Sequence, residues 1–128
     1  MRFFFDNNLA PKLAKSLHVL VEPDHSVVHL KDRFAANTPD ETWMRALAAE
    51  SDWVIISGDI RISKNPHEVA AWHEAGHTIF FLKAGWTNLP FWDQAQKFVK
   101  CFPEIIATAE RAKSGTMFMV SVNGKIVS

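Results

Sequence analysis

The chain opens with the stretch RFFFDNNLAPKLAKSL over residues 2–17, which joins a short apolar run, an acid and a helix start. The run Arg2–Phe5 is too brief for a helix and is typical of a buried parallel strand that ends at Asp6. Asn8 is predicted to cap the following helix, with Pro11 near its first turn. Leucines at positions 9, 13, 17 and 20 recur at helical spacing. The stretch therefore predicts a strand, an acid at its carboxyl end and an amphipathic helix.

The remainder of the chain repeats this alternation. Thr38 and Glu41 have the spacing of a capping box, and Pro39 fits the first helical position, so a second helix is predicted to begin there. The turn signal Asn123-Gly124 predicts a hairpin. Strands are predicted over residues 25–30, 53–56, 78–82 and 117–122, with a short antiparallel return over 125–127. After a polar loop at 31–37 and the second helix, a third helix is predicted over 66–75. Asn88 is predicted to cap another helix that begins near Pro90 and runs to about residue 99, with a kink or restart at Pro103.

This alternation predicts one α/β domain over residues 1–128. We expect a mostly parallel five-stranded sheet with helices on both faces and a short C-terminal hairpin strand. In such sheets, binding sites form beyond the carboxyl ends of the strands, at the point where the strand order reverses. Acids that follow strands therefore carry more functional weight than acids elsewhere.

Net charge, cysteine content and the length of the apolar runs limit the classes of protein to which the chain can belong. Fourteen basic and fourteen acidic residues cancel, so nothing global draws the 128-residue chain to nucleic acid or membrane. Cys101 is the one cysteine, which favours a reducing compartment. The apolar run at the start is too short for a signal peptide, and no stretch reaches the roughly 20 apolar residues of a membrane helix. We expect a soluble, cytoplasmic protein without a membrane partner.

Three acids stand at correlated places in this pattern. Asp6 follows the first strand, Asp59 follows the third strand after Gly58, and Glu41 lies in the first turn of the second helix, with Asp40 as its substitute. Two close carboxylates repel unless a cation lies between them, and Mg²⁺ takes one or two carboxylates together with phosphate oxygens. The alternatives are structural: Asp6 as a cap, Asp59 as support for the turn at Gly58, and Glu41 as part of the capping box.

Four stretches resemble the PIN-like domain family. They are FFFDNNLAPKLA (residues 3–14), TPDETW (38–43), VIISGD (54–59) and AGHTIFFL (75–82), in the family's order over roughly residues 1–85. The resemblance implies a Mg²⁺- or Mn²⁺-dependent ribonuclease, often the toxin of a toxin–antitoxin pair. Carried over by position, Asp6, Asp59 and Glu41 (or Asp40) hold the metal, RNA is the substrate, and an antitoxin protein is the partner. A homodimer is left open.

The chain departs from the family pattern at two positions. Asn7 and Arg61 stand where acids are common, which raises a rival hypothesis of a weak or inactive PIN-like module that binds RNA or protein. Asn7 and Asn8 are interpreted as residues that orient the carboxylates or the metal-bound water. Lys12 and Arg61 are interpreted as contacts to RNA phosphates. A metal-dependent RNA cleavage assay with an Asp6→Asn control separates the two hypotheses.

A second motif, His73-Glu74-Ala75-Gly76-His77, matches the H-E-x-x-H signature of zinc metalloproteases. That site requires both histidines on one face of a continuous helix, together with a third ligand. Gly76 stands where a helix C-terminus is expected and the next residues read as a strand. We therefore predict that His73 and His77 do not converge on a metal.

Overall fold

The structure is a computed structural model that describes residues 1–58 and 66–128. Its strands are β1 (Arg2–Phe5), β2 (Ser26–His29), β3 (Trp53–Ser57), β4 (Thr78–Leu82), β5 (Met117–Val120) and β6 (Ile126–Val127). Its helices are α1 (Pro11–Val21), α2 (Leu30–Arg33), α3 (Asp40–Ala48), α4 (Pro66–Glu74) and α5 (Phe91–Arg111).

One sheet of six strands organises the molecule, in the order β2-β1-β3-β4-β5-β6. Neighbouring strands are parallel from β2 to β5, and only the β5–β6 pair is antiparallel. The predicted α/β fold with a mostly parallel sheet is confirmed, and the predicted hairpin strand is the sixth strand. Gly124 lies in the hairpin turn with φ +88°, a conformation that glycine adopts without steric cost.

The sheet separates two hydrophobic cores because successive strand side chains point to opposite faces. Phe3 and Phe5 on β1 pack against α1 and α5, while Phe4 packs against α3 and α4. The first core includes Leu13, Leu17, Phe98 and Phe102, and the second includes Trp43, Leu47 and Trp72. Because helices cover both faces, the sheet edge formed by the carboxyl ends of the strands is left for a site.

Three predicted helix caps are wrong. Asn8, Thr38 and Asn88 were expected to cap α1, α3 and α5, but the N-cap residues are Ala10, Pro39 and Pro90, and none makes a side-chain cap bond. Proline at or just after each cap holds the backbone extended, which shifts the helix start downstream. Thr38 instead donates its hydroxyl to the carbonyl of Ala35 at 2.7 Å. The capping box that explained Glu41 without a function therefore does not form.

Two further elements differ from the prediction. The segment predicted as a polar loop after β2 contains the short helix α2, which His29 caps. α5 runs through Pro103 instead of restarting there, because Phe98, Phe102, Ile105 and Ala109 bury its core face on both sides of the proline.

No helix among residues 1–58 and 66–128 is long and apolar enough to cross a bilayer.

Candidate functional site

The strand order reverses between β1 and β3. β2 lies on one side of β1 and β3 on the other, and Phe5 pairs with both His29 and Ile56. The backbone N–H of Asp6 donates to the carbonyl of Ile56 at 3.3 Å, which extends the ladder by one residue. The end of β1 and the end of β3 therefore meet at the switch point where open α/β sheets bind ligands.

The Asp6 carboxylate is held in a fixed orientation at this point. Its Oδ2 accepts a hydrogen bond from Ser57 Oγ at 2.6 Å, and its Oδ1 accepts the backbone N–H groups of Gly58 at 3.2 Å and Asn8 at 3.1 Å. The residue is only 2 % exposed. Donors of this kind compensate a buried negative charge and fix the direction of its oxygens.

Gly58 is the residue where three chain segments come together. A Cβ atom there would lie 3.0 Å from Cβ of Asn8 and 3.1 Å from Cγ2 of Thr87. Asn8 belongs to the β1–α1 connection and Thr87 to the β4–α5 connection. The missing side chain thus lets the Gly58 backbone approach Asp6 closely. Asp59 follows Gly58 in the sequence, and both Asp59 and Arg61 lie outside the described residues.

The acids at the start of α3 differ in their surroundings. Asp40 accepts a hydrogen bond from the indole N–H of Trp43 at 3.1 Å, so it has a local structural partner. Glu41 is exposed in the same first turn. The amide of Asn7 donates to the carbonyl of Ala36 at 3.0 Å, which ties the segment before α3 to the end of β1. Neither Asp40 nor Glu41 is among the described hydrogen-bond partners of Asp6.

The other predicted contact residues have identifiable places. Asn7 holds the segment before α3, and Asn8 supports Asp6 through its backbone N–H rather than its side chain. Lys12 lies in the first turn of α1 with its ammonium 4.2 Å from the centre of the Phe91 ring. Within residues 1–58 and 66–128, no three His, Cys, Asp or Glu side chains are grouped to hold a metal ion.

Ser57 and His29 belong to this edge and were not predicted. Ser57 is fully buried beneath Asp6, and its position as the last residue of a strand was the available signal. The Nδ1 atom of His29 accepts the backbone N–H of Lys31 at 3.0 Å, so Nε2 carries the proton that is donated to the Leu9 carbonyl at 2.6 Å. Burial lowers the pKa of His29, which keeps the ring neutral and the β1–α1 connection fixed.

The two histidines of the H-E-x-x-H motif point to different parts of the backbone. α4 ends at Glu74, and Gly76 has φ +83°. His77 is buried, with Nδ1 accepting from the Trp53 N–H at 3.2 Å and Nε2 lying 2.7 Å from the Leu47 carbonyl. His73 Nδ1 lies 2.8 Å from the Gly115 carbonyl. The helix therefore ends before Gly76 and the two rings have different backbone partners, as expected, while the absence of a zinc site at this pair stays a prediction.

A family model described as a PIN-like domain matches residues 1–84, which is more than half of the chain. The chain belongs to the PIN-like domain family. The matched region includes β1 to β4 and therefore the switch point, Glu41 and Asp59. No curated protein and no solved structure matches the chain.

Membership of this family gives a general functional class. A PIN-like domain generally indicates nuclease function, and such domains typically depend on divalent metal ions. PIN-like domains also generally bind RNA and often pair with antitoxins. In this PIN-like chain, the residues that follow position 84 form α5, β5 and β6. The contribution of α5 to the first core and the last two strands of the sheet therefore lie beyond the matched region.

Proposed function

We propose that this PIN-like domain is a metal-dependent endoribonuclease of the cytoplasm that acts as the toxin of a toxin–antitoxin pair. One observation carries the proposal. The Asp6 carboxylate is fixed at the β1–β3 switch point by Ser57 Oγ and by the backbone N–H of Gly58, the residue directly before Asp59.

The donor set fits a hard divalent cation. Carboxylate oxygens are the ligands that Mg²⁺ and Mn²⁺ prefer, and metal-binding carboxylates are themselves usually held by hydrogen bonds, as Asp6 is here. Asp6 and Asp59 would hold the ion, with Glu41 as the third carboxylate. Asp40 is the weaker choice because the Trp43 indole already occupies one of its oxygens. Such an ion, when bound, makes water a better nucleophile and stabilises charge on phosphate.

The residues of the chain then have distinct tasks. Ser57, Gly58 and Asn8 preorganise Asp6, so that little reorientation is needed during the reaction. Asn7 ties the segment before α3 to the end of β1, and we expect this bond to help bring Glu41 toward Asp6. Lys12 and Arg61 would contact RNA phosphates and so position the strand.

A non-catalytic PIN-like binding module is the second candidate. It is favoured by Asn7 and Arg61, which replace acids that are common in the family pattern. The Asp6 hydrogen bonds are compatible with this candidate as well, because they would be equally useful for holding a turn together. This candidate predicts RNA or protein binding without cleavage.

Cleavage of a labelled single-stranded RNA tests the proposal, with Mg²⁺, with Mn²⁺ and with EDTA. We expect cleavage only with metal and a loss of at least about 100-fold in Asp59→Asn and Glu41→Gln. Asp24→Asn is the matched control, because Asp24 is exposed just before β2, at the opposite edge of the sheet. Metal-independent cleavage, or equal activity in Asp59→Asn and Asp24→Asn, contradicts the proposal.

The toxin assignment has its own test. Expression of the wild-type chain in host cells should arrest growth, whereas Asp59→Asn expressed to the same level should not. Growth arrest by both proteins would show that toxicity does not depend on the carboxylate site.

A further inference from the structure

Trp92 is the one tryptophan that the fold leaves open to solvent. Four of the five tryptophans are at most 4 % exposed, whereas Trp92 is 76 % exposed in the first turn of α5. A large aromatic ring in solvent forgoes the burial that stabilises the other four, and an exposed indole offers a wide flat surface for a binding partner.

The ring of Trp92 lies against a second aromatic ring. The centroids of Phe91 and Trp92 are 5.9 Å apart, and the two rings are inclined at 71°. Lys12 covers the Phe91 ring, with its ammonium 4.2 Å from the centroid. The result is an open indole, a supporting aromatic ring and an adjacent exposed cation.

This group lies on the same edge of the sheet as Asp6. α1 begins just after Asp6 and α5 begins after the connection that follows β4, so both helices start at the carboxyl ends of parallel strands. Thr87 in that connection approaches Gly58, whose backbone N–H binds Asp6. The contact between Lys12 and Phe91 joins the two helix starts.

Exposed lysines lie on α1, the helix whose first turn contacts Phe91. Lys12 and Lys15 are exposed one turn apart on α1, and Asp93 is the acid next to Trp92 on α5. An open aromatic ring that adjoins a second ring covered by a lysine matches the alternation of base and phosphate along a nucleic acid strand. We infer that Trp92 is a stacking platform for an unpaired base of a single-stranded RNA, with Lys12 contacting its phosphate backbone. This inference rests on the proposed nuclease function, because it takes RNA as the molecule that reaches Asp6.

Stacking selects single strands because a base in a duplex has both of its faces covered by its neighbours. Trp92 therefore gives the site a preference for unpaired RNA. It does not select a sequence, because every base presents a π-face.

Binding without cleavage tests the inference. Fluorescence anisotropy in EDTA at fixed salt measures the affinity for a labelled single-stranded RNA and for a duplex of the same sequence. We expect Trp92→Ala to weaken single-strand binding about tenfold and duplex binding by less than about twofold. Trp92→Phe should restore most of the loss. Val99→Ala is the matched control, since Val99 is an apolar residue of α5 that is 46 % exposed. It should leave both affinities unchanged.

Intrinsic fluorescence gives a second readout. Since the other four tryptophans are buried, the long-wavelength part of the emission belongs to Trp92. Single-stranded RNA should quench that component in the wild-type protein, and no such quenching should occur in Trp92→Phe.

The outcomes separate this inference from the proposed function. Wild-type affinity for single-stranded RNA in Trp92→Ala overturns the platform. Metal-dependent cleavage that is lost in Asp59→Asn supports the nuclease irrespective of that result. Trp92-dependent RNA binding without cleavage in any metal retains the platform and contradicts the nuclease.

Discussion

Ser57 at the end of β3 donates its hydroxyl to Asp6 at the end of β1 at 2.6 Å, across 51 residues of sequence. The bond joins two neighbouring parallel strands at the point where the strand order reverses. The sheet, rather than a loop, therefore fixes the position of the Asp6 carboxylate. Sites supported by rigid elements keep their geometry more accurately than sites on loops.

Ser57→Ala should destabilise the fold by about 1.5–3 kcal/mol, because it removes a donor from a buried charged acceptor. Urea unfolding measures the loss. Ser16→Ala is the control, since Ser16 is exposed and its hydroxyl donates to the Lys12 carbonyl within its own helix. Its effect should stay within about 0.5 kcal/mol. Equal stability of Ser57→Ala and wild type would mean that the hydroxyl does not support Asp6.

Gly58→Ala should cost about 1–3 kcal/mol, because the added methyl group would lie 3.0 Å from Asn8 Cβ and 3.1 Å from Thr87 Cγ2. Relief of the clash would also move the backbone N–H away from Asp6, so any RNA cleavage should fall together with stability. Chemical unfolding and cleavage rate, measured on the same preparation, check the two effects. A stable variant with unchanged cleavage would show that the connection shifts without disturbing Asp6.

Asp40→Asn and Glu41→Gln should show which acid at the start of α3 supports the fold and which takes part in cleavage. Loss of the Asp40 charge weakens a bond to the Trp43 indole and removes a favourable charge from the helix N-terminus, at a cost of about 0.5–2 kcal/mol. Glu41→Gln should leave stability within about 0.5 kcal/mol and reduce cleavage. Thermal melts and cleavage assays on both variants decide which acid takes part in the site. The reverse pattern would transfer the metal-binding role to Asp40.

Stability should fall as the pH drops below about 6.5, the ordinary value for histidine. Burial lowers the pKa of His29 and of His77 in the folded state, so the unfolded chain binds more protons in that range. The stability that these neutral rings supply is fully present above the unfolded pKa and is lost as the pH falls toward the folded one. The slope is at most about 1.4 kcal/mol per pH unit for each histidine.

Urea unfolding between pH 7.5 and pH 5 measures that slope, and His77→Gln should reduce it. The same variant tests the zinc motif. Stoichiometric zinc in the wild-type protein that is lost in His77→Gln would contradict the hydrogen bonds of His77 to Trp53 and Leu47.

The fold was predictable because strand and helix alternate clearly, as Phe3–Phe5 and Ile55–Ile56 illustrate by lying in buried parallel strands. Capping was not predictable, because Thr38 found a partner in Ala35 and the proline next to it set the helix start. Ser57 and His29 were missed because their partners, Asp6 and Leu9, are distant in sequence. Asp6 could be placed at the end of the first strand from sequence alone, whereas the role of Asp59 stays a prediction.

Asp6→Asn and Asp59→Asn should have different effects on stability but the same effect on metal binding. Asp6→Asn replaces a carboxylate that accepts three described hydrogen bonds, so it should cost about 2–4 kcal/mol. If Asp59 lies beside Asp6 as proposed, Asp59→Asn should relieve the repulsion between the two acids and leave the metal-free fold as stable as wild type or slightly more so. Mn²⁺ should raise the melting temperature of the wild-type protein through preferential binding to the folded state, and should leave that of either variant nearly unchanged.

An equal Mn²⁺ shift in wild type and Asp59→Asn would show that Asp59 is no ligand. A loss of about 1 kcal/mol in metal-free Asp59→Asn would instead indicate that Asp59 supports the turn at Gly58.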